Sequence, residues 1–248
     1  TEPIGIFSEK LRFLHSKLLL KNLTNDNKNF FLRTKILSKE FSSHLATLGK
    51  NTRICQKWVQ DNMLNELWIA KKNYFSFHDL YKGLDKKKFL IKNTSPNYNT
   101  NFGWYKNFNT KNNNYNFLCN YLKNKINLIH IKEKFEVSLE IKSIEKIEKE
   151  NFKIFNSIIK INELINKFNI NSKNFKKNLI KINQHIILLS KLFCSNSKIA
   201  KSLIEFSNLL NNYMCNNKKK IKYNNYKNFW GHTTCPVIIY KLKNLFAN

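Results

Sequence analysis

The sequence contains little glycine and little proline, with five glycines and three prolines among 248 residues. The glycines are scattered, so the Gly-rich loops of P-loop nucleotide hydrolases and dinucleotide-binding enzymes are excluded. A barrel with many tight turns is also excluded, because its turns need these two residue types. The longest apolar runs, such as 18–20 and 186–189, are far shorter than the roughly 18 residues that a membrane-spanning helix needs. The sequence therefore predicts no membrane span.

Acidic residues are also scarce, since 16 Asp and Glu stand against 44 Lys and Arg, which gives a formal net charge of +28. Arginine occurs only at Arg12, Arg33 and Arg53, so almost all of the cations are lysines. The dominance of Lys, Asn, Ile, Phe and Tyr indicates an A+T-rich genome, such as that of a protist, but codon bias does not explain why Glu is so outnumbered. A compact chain of this charge repels itself unless a polyanion neutralises it, so nucleic acid is the predicted partner.

Motifs for metal binding and catalysis are missing. The five cysteines are odd in number and scattered, which argues against a disulfide framework and favours a reducing compartment. The nearest approach to a metal motif is His232 followed by Cys235, and no second pair completes a tetrahedral set. The other histidines are isolated, and the glutamates of 136–150 are expected on the exposed side of a strand and a helix, facing neighbouring lysines. The sequence therefore predicts no enzyme, no metal site and no cofactor.

Helices are predicted in the first quarter of the chain. The ranges are 6–21, 29–48 and 52–72, with Gly49 as the residue that ends the second helix. The first helix is predicted from apolar residues at helical spacing, namely Phe7, Leu11, Leu14 and Leu18. We assign residues 1–125 to a mainly helical and irregular N-terminal extension.

An Asn-rich segment with spaced aromatic residues spans 86–116. It is either a disordered linker expanded by nucleotide bias or a strand-like arm that packs its aromatic rings onto bases or protein grooves. Trp104 in this segment and Trp230 near the C-terminus lie among Asn, Lys and Tyr, and both are predicted to contact RNA or a neighbouring protein. Trp58 and Trp68 lie in a helical pattern and are interpreted as core residues.

The second half of the chain combines strand and helix patterns. A strand at 135–141, a helix from 144 to about 169, and one or two strands within 174–193 come first. A helix capped by Ser195 and a final strand near 237–242 follow. The apolar face of that helix is expected to contain Ile199, Leu203, Phe206 and Leu210. Residues 126–248 are therefore predicted to form an α+β domain with the ferredoxin-like split βαβ plan.

This half of the chain resembles a known family. The segments VSLEIKSIEKIEKENFKIFNSII (137–159) and IILLSKLFCSNSKIAKSLIEF (186–206), with the strand at 237–242, are similar to the S-ten family, the tenth protein of the small ribosomal subunit. The proline-rich hairpin of that family is replaced here by Leu179, Ile180, Lys181, Ile182 and Asn183. Residues 1–125 have no counterpart in the family and resemble the added segments of mitochondrial ribosomal proteins.

The resemblance implies a structural subunit in the small-subunit head of a mitochondrial ribosome, located in the matrix, with a hairpin that enters the RNA. Its partners would be ribosomal RNA and neighbouring ribosomal proteins of the head. Lysines near this hairpin and in a later basic loop would neutralise phosphates without reading bases, although a solvated charged face remains the alternative. These predicted RNA contacts are Lys173, Lys176, Lys177, Lys181, Lys191, Lys198, Lys218, Lys219 and Lys220.

A second function class is an accessory, non-catalytic subunit of an organellar membrane complex. In that case basic residues would face anionic lipid and the first helix would lie on the bilayer. Lipid binding would concentrate the basic residues on one helix, whereas they are spread over the whole chain. This distribution favours RNA.

Overall fold

The computed structural model describes fifteen stretches of the chain, and all statements below refer to them. They are residues 5–21, 30–49, 53–64, 80, 83–84, 89–94, 118, 120–122, 124–125, 129–131, 144–193, 195, 197–215, 223–231 and 237–241.

Helix α1 (Phe7–Lys21) is the central helix. The residues that predicted it, Phe7, Leu11, Leu14 and Leu18, are all buried, which confirms the predicted helix. Burial is not limited to this apolar stripe, because Lys10, Arg12 and His15 are also inaccessible to solvent. Helix α1 is therefore buried on nearly all sides.

Helix α2 (Phe30–Leu45) continues as a short 3-10 helix (Ala46–Leu48) that ends at Gly49, as predicted. Gly49 has a φ of 105°, a conformation that favours glycine because it has no Cβ. Helix α3 (Cys55–Val59) runs directly into a π-helical turn (Gln60–Leu64). The remainder of the helix predicted for 52–72 lies outside the described residues.

Two long C-terminal helices agree with the sequence pattern. Helix α4 (Ile144–Asn166) corresponds to the predicted long helix. Helix α6 (Lys198–Met214) buries the predicted face of Ile199, Leu203, Phe206 and Leu210. Its N-cap is Ser197, whose Oγ accepts a hydrogen bond from the Ala200 N–H at 3.0 Å, and not the predicted Ser195.

The prediction of strands within 174–193 is wrong, because this segment forms helix α5 (Phe175–Ser190). Its buried stripe has the helical spacing of three or four residues. The members of the stripe are Leu179, Ile182, Ile186 and Leu189. The apolar run at 186–189, which suggested a buried strand, in fact divides between two faces of the helix, since Ile187 and Leu188 are exposed.

The ferredoxin-like fold class is therefore wrong. Among the described residues the strands are β1 (Phe89–Thr94) and β2 (Val237–Lys241), which pair antiparallel with an irregularity between Ile91 and Asn93. Strand β2 corresponds to the predicted final strand, but its partner comes from the Asn-rich segment of the N-terminal half. The strand predicted at 135–141 lies outside the described residues. The described part is a helical structure with one small antiparallel pair.

The main hydrophobic core combines residues of α1, α4, α5 and α6 with Tyr226 and Phe229. It therefore contains residues from both sides of the predicted domain boundary between 125 and 126. A second cluster joins α2 and α3 to the end of α1 and to Trp230. Together the two clusters place α1 between the N-terminal helices and the C-terminal helices.

The segment 223–231 is attached to α6 by one carboxylate. Glu205 accepts hydrogen bonds from the Asn225 N–H and the Tyr226 N–H, both at 2.8 Å, and from the Asn225 side-chain amide at 2.6 Å. Hydrogen bonds to a charged acceptor are stronger than neutral ones. Glu205 thereby fixes the short 3-10 helix Tyr226–Asn228 and the position of Trp230 after it.

A pair of isoleucine substitutions distinguishes helix α5 from the strand that the sequence suggested. Ile182 is fully buried and Ile180 is 46% exposed. We expect Ile182→Ala to lower the free energy of unfolding by about 2–5 kcal/mol and Ile180→Ala to change it by about 0.5 kcal/mol or less. Chemical denaturation measures both. In a strand the two side chains would share a face, so equal losses would contradict the helix.

Candidate nucleic-acid interface

A cationic cleft of about 430 Å³ lies at one end of α1. Its walls come from α1, α2, the π-helical turn and the turn between α4 and α5. The lining residues are Ser16, Lys17, Leu20, Lys21, Arg33, Met63, Phe168, Asn169, Ile170 and Asn171. Three of these described lining residues are cationic and none is acidic. We call this site the basic cleft.

The sequence of α1 explains how two of the cations reach the cleft. Lys17 and Lys21 are four residues apart, so they lie on the same face of the helix, and they occupy its C-terminal end, where the helix dipole favours cations. The Lys17 ammonium lies 4.4 Å from the centroid of the Phe13 ring. The Lys21 ammonium lies 2.9 Å from the centroid of the Phe175 ring, at the start of α5.

The third cation comes from α2. Arg33 is half-buried, and its Nε is shielded from solvent and has no hydrogen-bond partner among the described residues. A buried N–H without an acceptor costs free energy, and because this Nε is shielded from solvent it is not open to a ligand in the cleft.

The cations of this region repel one another. The pKa of Lys21 is lowered, first by desolvation and then by the charge of Lys176 on α5. On the core side, the pKa of Lys10 falls to about 8, because burial disfavours its charge and Lys17 is nearby. An anion bound in the basic cleft would relieve this repulsion.

The structure places the predicted lysines of the supposed hairpin on helix α5 and its flanks. Lys176, Lys177 and Lys181 are exposed on the helix, and Lys173 is exposed in the turn before it. Lys176 is close enough to Lys21 to lower the pKa of that ammonium. The start of α5 thereby continues the positive surface of the basic cleft.

The remaining lysines that were predicted to contact RNA, and Trp104, are not among the described residues that line the basic cleft. Lys191 directly follows α5, and Lys198 begins α6, so both lie beyond the C-terminal end of α5 and neither lines the cleft. Lys218, Lys219, Lys220 and Trp104 are outside the described residues.

Trp230 is placed inside the protein and not on its surface. The ring is 6% exposed, and the Arg12 guanidinium carbon lies 3.6 Å from the ring centroid. The indole N–H donates a hydrogen bond to Thr47 Oγ1 at 2.9 Å, and the Trp58 ring packs at 5.5 Å. A nucleobase cannot stack on the ring face that Arg12 covers, so the described position of Trp230 is that of a packing residue.

Sequence reasoning did not identify Lys17, Lys21 and Arg33. The spacing of Lys17 and Lys21 by four residues at the end of a predicted helix was a usable signal, and so was the rarity of arginine in a lysine-rich chain. The position of Met63 and Phe168 beside them carries no local signal, because it depends on how distant segments pack.

A second polar group, which we call the buried Arg–His cluster, lies in the core next to α1. It consists of Arg12, His15, His44 and Tyr226, all with 0% exposure. Arg12 donates a hydrogen bond to the Ser8 carbonyl at 3.4 Å and lies 3.8 Å from Glu9 Oε1. The His15 ring packs against Phe41 with centroids 5.1 Å apart, and the His44 ring packs against Tyr226 at 5.0 Å.

Burial determines the protonation states in this cluster. Desolvation, followed by the charge of Arg12, lowers the pKa of His15 to about 3, and it lowers that of His44 well below the usual range. Desolvation raises the pKa of Tyr226 well above its usual range. A general acid or base works best when its pKa is close to the operating pH, so these shifts favour structural roles over proton transfer.

Metal binding and membrane insertion have no support in the described part of the chain. No group of three or more His, Cys, Asp or Glu residues there could hold a metal ion. Among the same residues, no helix combines the length and the apolar character that crossing a bilayer demands. Cys55 donates from Sγ to the Ser38 carbonyl at 3.6 Å, and burial raises the pKa of its thiol, which lowers its reactivity.

Comparison with protein-family models, with curated proteins and with solved structures finds no match for this chain.

The buried histidines should make the protein sensitive to acid. Their pKa values are below those of the unfolded chain, so unfolding takes up protons and stability falls as the pH drops below about 6.5. The charged groups that act on His15 are Arg12 and Glu40, the latter with Oε1 at 3.8 Å from Nε2. Each histidine should contribute up to about 1.4 kcal/mol per pH unit.

The measurement is the free energy of unfolding in urea between about pH 8 and pH 5 for the wild type and His15→Phe. The variant keeps an aromatic ring but removes one titrating group, so its stability should depend less on pH. Equal pH dependence in the two proteins would show that His15 does not titrate on unfolding.

Proposed function

We propose that this chain is a structural, RNA-binding subunit of a mitochondrial ribosome and that it contacts ribosomal RNA through the basic cleft. The observation that carries the proposal is the convergence of Lys17, Lys21 and Arg33 in one concave site without an acidic residue among the described lining residues. Lysines that neutralise phosphates release counterions from the RNA, which supplies affinity without base readout.

The wider surface supports the same partner. The chain carries a net charge of +28, and exposed lysines occur on α2, α4, α5 and α6 as well as at the end of α1. Folded RNA presents phosphates on several sides of a bound protein, so cations on several elements suit it. The pKa shifts in the buried Arg–His cluster do not favour catalysis, which supports a structural role.

The ribosomal part of the proposal depends on composition and on the resemblance of 137–159 and 186–206 to the S-ten family. The observed topology differs from that of the S-ten family, because the segment expected to form the hairpin is helix α5. Topology therefore gives the ribosomal part of the proposal no support. We therefore propose a ribosomal subunit without assigning it to the ferredoxin-like position in the small-subunit head.

The alternative of a lipid-facing subunit is less consistent with the position of α1. That alternative needs α1 to present an apolar face to the bilayer, whereas its apolar residues Phe7, Leu11, Leu14 and Leu18 are all buried in the core. The described lysines are also not concentrated on one helix. Both observations favour RNA as the polyanion.

The first experiment is sedimentation of mitochondrial lysate on a sucrose gradient. The chain should migrate with ribosomal RNA and shift to the top of the gradient after nuclease treatment. Migration with membranes that nuclease does not change would contradict the proposal.

The second experiment tests the basic cleft. Replacing Lys17, Lys21 and Arg33 together with Gln removes three contacts to phosphate. Each contact contributes roughly 0.7 to the slope of log affinity against log salt for single-stranded RNA, so the slope should become shallower by about 2. Affinity should also fall, and both quantities can be read from RNA titrations at several salt concentrations.

The matched control replaces three exposed lysines outside the cleft, Lys35, Lys39 and Lys57, with Gln. Both variants lose the same charge, so a difference between them reports position and not net charge. The proposal that RNA binds in the cleft would be refuted if both variants changed the slope equally.

A further inference from the structure

We infer that the basic cleft accepts an unstacked nucleotide of single-stranded RNA, with its base on the apolar wall and its phosphates on the cations. This inference rests on the proposed RNA-binding function and specifies the form of RNA that the site takes.

The lining of the basic cleft combines two kinds of surface. Beside the cations, the lining contains four apolar residues, Leu20, Met63, Phe168 and Ile170. Leu20, Met63 and Phe168 are each less than a tenth exposed and Ile170 is half-buried, so the cleft exposes only small parts of these apolar side chains, for which a phosphate alone has no complementary surface. A nucleobase has an apolar face and would cover them.

The volume of the cleft is also consistent with a nucleotide. Its volume of about 430 Å³ falls in the range of roughly 300–1,000 Å³ that is typical of sites for organic ligands. A phosphate group alone would leave most of this space empty. A nucleotide, with base, ribose and phosphate, fits such a volume.

Two side-chain amides lie at the cleft in the turn between α4 and α5. Asn169 Oδ1 accepts a hydrogen bond from the Asn171 backbone N–H at 2.9 Å, which fixes the amide oxygen and leaves the NH₂ group as the donor end. Asn171 is exposed, and its side chain offers both a donor and an acceptor. Such groups match the hydrogen-bonding edge of an unpaired base.

Double-stranded RNA matches the cleft less well. Its bases are paired and stacked inside the helix, so it could offer phosphates to Lys17, Lys21 and Arg33 but would leave the apolar wall uncovered. Arg33 lines the cleft beside this wall, so a phosphate that enters together with its base meets a cation there.

The experiment compares three probes with the full chain: a short oligouridine, an abasic ribose-phosphate oligomer of the same length, and a duplex of the same length. The first two probes carry equal charge, so their difference isolates the base. Oligouridine should bind about tenfold more tightly than the abasic oligomer, which corresponds to the usual contribution of one packed base. It should also bind more tightly than the duplex.

The substitution Ile170→Trp fills the apolar part of the cleft without changing its charge, and Ile180→Trp is the matched control at an exposed isoleucine of α5. We expect Ile170→Trp to remove the preference for oligouridine over the abasic oligomer and Ile180→Trp to keep it. Circular dichroism checks that both are folded. If Ile170→Trp is unfolded, Asn171→Ala takes its place and should weaken oligouridine binding severalfold without affecting the abasic oligomer.

The outcomes separate this inference from the proposed function. Failure to bind any of the three probes would overturn both. Equal affinity for oligouridine and the abasic oligomer would overturn only the inference, because phosphate binding would remain. Displacement of oligouridine by micromolar free uridine monophosphate would identify the ligand as a free nucleotide and overturn the assignment to an RNA strand.

Discussion

The fully buried Arg12 guanidinium, which lies on the Trp230 ring, holds α1 against the segment 223–231. Removing a charged group from water costs several kcal/mol, and the loss is offset only if the partners stay in place. Those partners are the Trp230 ring at 3.6 Å, Glu9 Oε1 at 3.8 Å and the Ser8 carbonyl. Two of them lie on α1 itself, and the third comes from the far end of the chain. Arg12 therefore links α1 to the segment 223–231.

This link also positions the basic cleft. Glu205 holds the segment 223–231 on α6, and Trp230 at its end contacts both Arg12 and Thr47. Helix α1 is thereby fixed between the N-terminal and C-terminal helices, and its last turns bring Lys17 and Lys21 next to Arg33 and Phe168. A positive site of this kind needs a rigid support, because its cations repel each other.

The sequence correctly predicted those helices whose apolar residues recur only at the helical spacing of three or four residues. The spacing of Phe7, Leu11 and Leu14 was sufficient for α1, and the face containing Leu203 and Phe206 was sufficient for α6. Helix α5 was misassigned because its exposed Ile187 and Leu188 lie between buried Ile186 and Leu189 and hide the helical period. That error also produced the ferredoxin-like topology.

The candidate site was predicted in part. The net charge indicated RNA, and Lys173 and Lys176 lie near the basic cleft. Its lining could not be derived locally, because Lys21, Arg33 and Phe168 come from segments that meet only through tertiary packing. Trp230 has polar neighbours in sequence but packs against Arg12 and Trp58, and its polar sequence context concealed this burial.

The most direct test of the central claim is ultraviolet cross-linking of purified mitochondrial ribosomes, followed by mass spectrometry of the RNA-linked peptides of this chain. The account predicts cross-links in peptides that contain Lys17 and Lys21, Arg33, and the turn at Phe168–Asn171. If this chain cross-linked to ribosomal RNA only through peptides outside the basic cleft, the cleft would not be the RNA-binding site and the account would be wrong.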